Sequence, residues 1–129
     1  MRTDILIYKT ARDIQKKYSS CFKELGLPDL TFTQYIVLRE LWDSEEGILS
    51  EKELGKLLSL DSGTLTPVLK GLEKNGLVAR SRSKNDERVV NVSLTDQGRA
   101  MRFSTPFATE GEDRETERIL SALLEAKRK

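Results

Sequence analysis

The sequence contains no histidine and only one cysteine, Cys21. Without histidine the chain lacks the usual nitrogen ligand of zinc and the commonest general base, and a single cysteine excludes an intrachain disulfide. A glycine-rich phosphate loop and a nucleophile with an evident base are missing as well. We therefore predict no catalytic residues, no metal site and no cofactor, which argues against an enzyme.

Long apolar runs are also missing. No uninterrupted apolar stretch approaches the roughly 18 residues of a membrane span. The first residues, Met1 to Asp4, lead into a charged amphipathic stretch instead of a secretion signal. We expect a soluble, cytoplasmic protein with no membrane partner.

The length and the charge set further limits. The 129 residues, 37% of them hydrophobic, suffice for one domain, 1–129, and not for two independent cores. The formal net charge is only +1 although 33% of the residues are charged, so the overall charge does not indicate a nucleic-acid partner. Between Val78 and Arg102, however, six positive side chains stand against three negative ones. The basic residues are concentrated in this one region.

The N-terminal segment carries an apolar stripe at alternating spacings of four and three residues. Its members are Ile7, Ala11, Ile14, Tyr18, Cys21 and Leu25, widened by Tyr8 and Phe22. This spacing predicts a helix from Ile7 that Gly26 and Pro28 end. The stripe suits either the chain's own core or a partner subunit, because it is also the spacing of a coiled-coil seam.

Two capping boxes mark the starts of the next helices. Thr31 with Gln34, and Ser50 with Glu53, have the spacing at which an N-cap hydroxyl and a third-position side chain satisfy each other's backbone amides. Apolar residues at helical spacing follow each box. We predict a second and a third helix there.

A very short link at 59–60 leads to a fourth helix. Asp61 or Ser62 can cap its start, and residues 75–76, Asn-Gly, suit a left-handed stop. The third and fourth helices with their short link predict a helix-turn-helix.

A β-hairpin with a charged tip follows. Residues 77–82 and 89–94 have the composition of strands, and the polar segment 83–88 joins them. Thr95 then caps a helix that Pro106 interrupts, and a last helix is predicted over 113–126.

This order of elements predicts a mainly α fold, a winged helix-turn-helix with a two- to three-stranded β wing. The DNA-binding region is predicted over 31–94, and N- and C-terminal dimerisation helices over 1–30 and 95–129. A helix fits the major groove of DNA, and a ribbon with a cationic tip reaches phosphates or the minor groove. Small polar residues at the start of the fourth helix suit base edges, and a later lysine suits a phosphate; these are Ser62, Thr64, Thr66 and Lys70. The alternative is that they only cap and solvate an ordinary helix.

The helix and the wing together resemble the MarR family of winged-helix regulators. The resemblance rests on LDSGTLTP at 60–67, LVAR at 77–80, DER at 86–88 and LT at 94–95, and it covers about Ile5 to Met101. The nearest likeness is the OhrR branch, which senses organic hydroperoxides. The resemblance implies a dimeric repressor or activator with the helix from Ser62 in the major groove.

The resemblance also assigns the wing residues. It implies that Arg88 enters the minor groove, which suits a planar, weakly hydrated guanidinium, and that Asp86 holds either Arg80 or Arg82 in place. The alternative for Arg88 is a surface salt bridge with Asp86 or Glu87. The predicted wing contacts to DNA are Arg80, Arg82, Lys84 and Arg88.

The N-terminal helix departs from the hydroperoxide-sensing branch. The reactive cysteine of that branch falls at Asp4 here, whereas the tyrosines that would address it match Tyr8 and Tyr18. We interpret both tyrosines as core or pocket-lining residues, with ligand or redox sensing as the alternative. Cys21 lies on the same stripe, so we expect an inert buried thiol, again with redox sensing as the alternative. Gly71, in mid-helix, is a second departure.

The sequence thus predicts a homodimer that binds a pseudo-palindromic double-stranded DNA operator, with half-sites roughly 34 Å apart. We expect a repressor that a small-molecule effector or an oxidant releases. The rival hypothesis is a winged helix that serves only protein contacts.

Overall fold

The backbone follows the predicted order of helices and hairpin. The computed structural model describes residues 1–27, 29–104, 118, 121–122 and 124–126. The elements are α1 (Thr3–Glu24), α2 (Phe32–Asp43), β1 (Ile48–Ser50), α3 (Glu51–Leu58), α4 (Ser62–Lys74), β2 (Val78–Arg82), β3 (Val90–Leu94) and α5 (Asp96–Ser104). Residues 118, 121–122 and 124–126 are helical. The rest of the helix predicted over 113–126, and the interruption predicted at Pro106, lie outside the described residues.

Both predicted capping boxes are present. The Thr31 hydroxyl accepts from the Gln34 amide at 3.1 Å while the Gln34 side chain accepts from the Thr31 amide at 3.0 Å. Ser50 and Glu53 make the same reciprocal pair at 3.0 and 3.4 Å. Helix α1, by contrast, begins four residues before the predicted start. The prediction missed this start because the N-cap residue, Arg2, makes no side-chain cap that a sequence would reveal.

The turn between α3 and α4 is tight because Ser59 adopts the left-handed conformation, with φ of 56°. The Leu60 amide then donates to the Gly55 carbonyl at 2.9 Å. Asp61 caps α4 by accepting from the Thr64 amide at 2.8 Å. Helix α4 ends as predicted, since Gly76 has φ of +75° and reverses the chain into β2.

The sheet has three antiparallel strands in the order β1-β3-β2. Strands β2 and β3 each begin one residue after their predicted starts. Strand β1 pairs Ile48 with Ser93 and Ser50 with Asn91, so it joins the outer edge of β3 and leads directly into α3. The predicted winged helix-turn-helix is confirmed, with the larger of the two predicted strand numbers.

The hydrophobic core lies between α2, α3, α4 and the sheet, and it includes Leu38, Leu41, Leu54, Leu65, Leu69, Leu72, Val78 and Val92. Helix α5 closes it, because the Trp42 indole donates to the Gly98 carbonyl at 2.8 Å. Helix α1 contributes only Phe22 to the fully buried set. Among the described residues no helix combines the length and the apolar character needed to cross a membrane.

Candidate nucleic-acid interface

The start of α4 presents polar groups to solvent on a firmly packed helix. Leu65, Leu69 and Leu72 bury the opposite face. Of the predicted contacts, Ser62, Thr64 and Lys70 are exposed and Thr66 is half-buried. A helix N-terminus with small polar side chains and anchored apolar positions is the arrangement that base-edge contacts require.

Asp61 fixes the geometry of this helix start. Its carboxylate accepts from the Thr64 amide, and this backbone hydrogen bond, followed by one from the Thr64 side chain, lowers the pKa of Asp61. The carboxylate form is therefore favoured near neutral pH. The Thr64 hydroxyl therefore contributes to the helix cap as well as lying on the exposed surface, and the sequence did not reveal this second role.

The tip of the wing is closed by two backbone hydrogen bonds. The Ser83 amide donates to the Val89 carbonyl at 2.8 Å, and the Val89 amide donates to the Asp86 carbonyl at 3.0 Å. Lys84 is exposed on this tip. Arg82 donates from Nη1 to the Glu87 carbonyl at 2.7 Å, which ties the second strand to the tip segment.

Asp86 holds Arg88. Its carboxylate accepts from the Arg88 amide at 3.0 Å, from Nε at 3.1 Å and from Nη2 at 3.3 Å. The prediction that Asp86 holds Arg80 or Arg82 is wrong, because the tight turn brings the amide and the guanidinium of a residue only two positions away onto the same carboxylate. The hydrogen bonds from the Arg88 side chain and then its backbone lower the pKa of Asp86.

This pairing leaves Arg88 at the surface. The Arg88 side chain is 91% exposed although it is held from one side by Asp86. The salt bridge that the sequence left as an alternative is present, and it orients the guanidinium without covering it. An ion pair this exposed contributes little to stability, so its effect is on orientation.

Arg80 lies in different surroundings from the other wing cations. Its side chain is 22% exposed and forms ion pairs with Glu51 and Glu73, both at 3.3 Å. Arg80 is thus held between two helices. Six other predicted contacts lie at the surface: Ser62, Thr64 and Lys70 on α4, and Arg82, Lys84 and Arg88 on the wing. Sequence reasoning missed both carboxylate partners of Arg80.

The predicted sensing residues do not form one site. Tyr18 packs in an aromatic cluster, with ring centroids 5.0 Å from Phe32 and 5.1 Å from Tyr35. Tyr8 is 63% exposed, and its hydroxyl accepts from Arg12 at 3.3 Å, so it does not join the core of its own chain. The two tyrosines are ten residues apart on one helix, about 15 Å along its axis.

Cys21 is half-buried on α1. Burial raises the pKa of this thiol, and the nearby Glu24 carboxylate raises it further. A raised pKa lowers the fraction of reactive thiolate at neutral pH. The part of the chain that the structure describes contains no cluster of three or more histidine, cysteine, aspartate or glutamate side chains that would hold a metal ion.

Comparison with known proteins places this architecture in a family. The profile of the family described as transcriptional regulator SarA/Rot matches residues 16–102. The regulator SarZ of Staphylococcus aureus (strain USA300) is 47% identical over 97 residues, which are 75% of this chain and 62% of that protein. The chain thus spans less than two thirds of the length of this relative.

Solved structures give the same result. Overoxidized AbfR bound to DNA superposes with a TM-score of 0.82 at 30% identity, covering 96% of this chain and 88% of that chain; AbfR is a Staphylococcus epidermidis protein. A mutant MarR from E. coli complexed with operator DNA gives 0.71 at 26% identity, covering 95% and 91%. The predicted likeness to MarR regulators is confirmed, whereas the hydroperoxide-sensing branch stays a prediction. This chain belongs to the SarA/Rot family of transcriptional regulators, a family of regulators and not of enzymes.

Proposed function

We propose that this protein binds double-stranded DNA as a homodimer, through one winged helix-turn-helix per subunit, and thereby regulates transcription. The observation that carries the proposal is the presentation of Arg88, whose guanidinium is 91% exposed and oriented by Asp86 at the tip of a basic wing. The exposed polar start of α4 supports it, as do the DNA complexes of the related AbfR and MarR proteins.

The two elements have different roles in this proposal. Ser62, Thr64 and Thr66 meet base edges in the major groove, and Lys70 meets a phosphate. Arg88 enters the minor groove while Arg82 and Lys84 contact the backbone. The region 31–94 binds DNA, and the segments 1–30 and 95–129 supply the dimer contacts.

Repression with release by a small molecule or an oxidant is the finer part of the proposal. The half-buried Cys21 and its raised pKa favour a small molecule over direct oxidation of this thiol. We therefore propose an effector that does not depend on cysteine chemistry.

The proposal is tested by selecting bound fragments from genomic DNA of the source and measuring their affinity across a salt series. Specific binding is expected with a steep loss of affinity as salt increases. Lys84→Ala should make the slope of log K against log salt shallower by about one, because one phosphate contact is lost. Lys16→Ala, on α1, removes the same charge outside the proposed surface and should leave the slope unchanged.

One result would contradict this proposal. If no fragment is enriched, and the Kd for duplex DNA at physiological salt is above about 100 μM, the weak end of ordinary non-specific binding, the chain is a protein-interaction module and the proposal is wrong.

A further inference from the structure

Arg80 points toward the helices and away from the open surface of the wing. The register pairs Val78 with Leu94 and Arg80 with Val92. Directly paired residues of antiparallel strands project to the same face of the sheet. Since Val78, Val92 and Leu94 are all buried, Arg80 lies on the core side of the sheet, at the edge where the apolar core ends.

Arg80 there joins three elements. Its Nε donates to Glu73 Oε1 at 3.3 Å, its own backbone amide donates to Glu73 Oε2 at 3.3 Å, and its Nη1 donates to Glu51 Oε1 at 3.3 Å. Glu73 lies in the last turn of α4, and Glu51 is the first residue of α3. One guanidinium thus links the wing to both helices of the helix-turn-helix.

The charges around Arg80 also disfavour a contact between Arg80 and a DNA phosphate. One cation faces two carboxylates, so the cluster is net negative and repels a phosphate more than it attracts one. Arg88 has a single carboxylate partner and is 91% exposed, compared with 22% for Arg80. A planar guanidinium with several donors suits a two-carboxylate link in a way that a lysine does not.

We propose that Arg80 is a positioning residue: through Glu73 and Glu51 it sets the wing against the recognition helix α4 and does not itself contact DNA. The inference rests on the proposed function and assigns to Arg80 a different role from the other wing cations. Because α4 and the wing enter neighbouring grooves in that proposal, their relative placement determines whether both engage one operator.

The first test uses the carboxylates, because the two explanations of Arg80 predict different changes in the ratio of operator to scrambled-duplex affinity. The variant Glu51→Gln/Glu73→Gln removes two negative charges. If Arg80 positions the wing, the ratio of operator to scrambled-duplex affinity falls about tenfold. If Arg80 contacts phosphate, freeing it raises the affinity for both duplexes alike and leaves the ratio unchanged, which would overturn the proposal.

The salt slope gives a second readout, because it becomes shallower when a phosphate contact is lost and not when the wing is only misplaced. Arg80→Gln should weaken operator binding with an unchanged slope, whereas Arg88→Gln, the comparison variant, should make the slope shallower by about one. A slope change in Arg80→Gln equal to that in Arg88→Gln would contradict the positioning role.

A DNA-free measurement separates this inference from the proposed function. Hydrogen exchange of the β2 and β3 amides should accelerate about three- to tenfold in Arg80→Gln and in Glu73→Gln, while amides in the middle of α2 stay protected. If the parent binds no duplex, the proposed function fails and this measurement still decides the role of Arg80. Unchanged wing exchange in both variants would refute it.

Discussion

The three arginines of the wing show how far a residue's role depends on its partners. Arg80 is held by two carboxylates, Arg82 by the Glu87 carbonyl and Arg88 by one carboxylate at the surface. Counting positive residues correctly located the basic region but treated the three as equal. Alternation along β2 places both Arg80 and Arg82 on the face of the buried Val78, and Arg80 differs in standing two residues from Val78 instead of four, nearer the core.

At the same scale, Cys21 is expected to react slowly with thiol reagents in the folded protein. Burial and Glu24 raise its pKa, so the thiolate is scarce at neutral pH and its fraction grows as the pH increases. Alkylation by iodoacetamide should therefore be slower than in urea-unfolded protein at neutral pH, with the rate rising toward alkaline pH. A native rate equal to or above the unfolded rate would show an activated thiol. Loss of DNA binding in mild hydroperoxide that Cys21→Ser abolishes would support redox sensing instead.

At the scale of elements, the sequence predicted most where the interactions are local. The capping boxes at Thr31 and Ser50 involve residues three positions apart, so their spacing is visible in the sequence and both are present. Strand β1 is only three residues long and exists through pairing with β3, more than forty positions away, so local composition could not define it. The contact of Glu51 with Arg80 spans 29 positions and is non-local for the same reason, whereas Glu73 lies seven positions from Arg80, across the turn that follows α4.

The packing of α2 against α4 gives a prediction at Gly71. A Cβ at this position would collide with Nε2 of Gln34, whose Oε1 accepts from the Thr31 amide in the capping box. Gly71→Ala should therefore leave the stability of the parent nearly unchanged, because the loss of the Gln34 contact in the cap offsets the gain of about 1 kcal/mol in helix propensity. In a Gln34→Ala background the same change should stabilise by about 1 kcal/mol. Urea unfolding of the four proteins measures this; equal stabilisation in both backgrounds would mean that Gly71 is not required by the packing.

At the scale of the whole molecule, α1 leaves an apolar face uncovered by its own chain. Ile7 is 53% exposed and Ile14 is 43% exposed, and Leu6 and Tyr8 are exposed beside them. The sequence left open whether this stripe serves the core or a partner, and the described residues bury only its C-terminal end, at Phe22. An exposed apolar face of this kind is expected to be covered by a second subunit.

We therefore predict an obligate dimer. Ile14→Asp places a charge in the proposed subunit contact and should convert the dimer to monomer or unfold it, whereas Lys16→Asp, on the opposite side of α1, should leave the dimer intact. Sedimentation velocity at micromolar concentration measures both, with circular dichroism for folding. A monodisperse, folded monomer of the unaltered protein would contradict the prediction.

The central claim is that α4 and the wing contact DNA in different grooves, and paired variants in a fluorescence-anisotropy salt series test it most directly. Arg88→Ala should weaken binding to operator and scrambled duplexes alike and make the salt slope shallower by roughly one. Thr64→Ala should lose about 1 to 3 kcal/mol on the operator with little loss on scrambled DNA, and Thr64→Ser, which keeps the hydroxyl that serves Asp61, should stay near the parent. Should Arg88→Ala bind the operator as tightly as the parent, with the same salt slope, the wing would be only a salt-bridged hairpin and the assignment would be wrong.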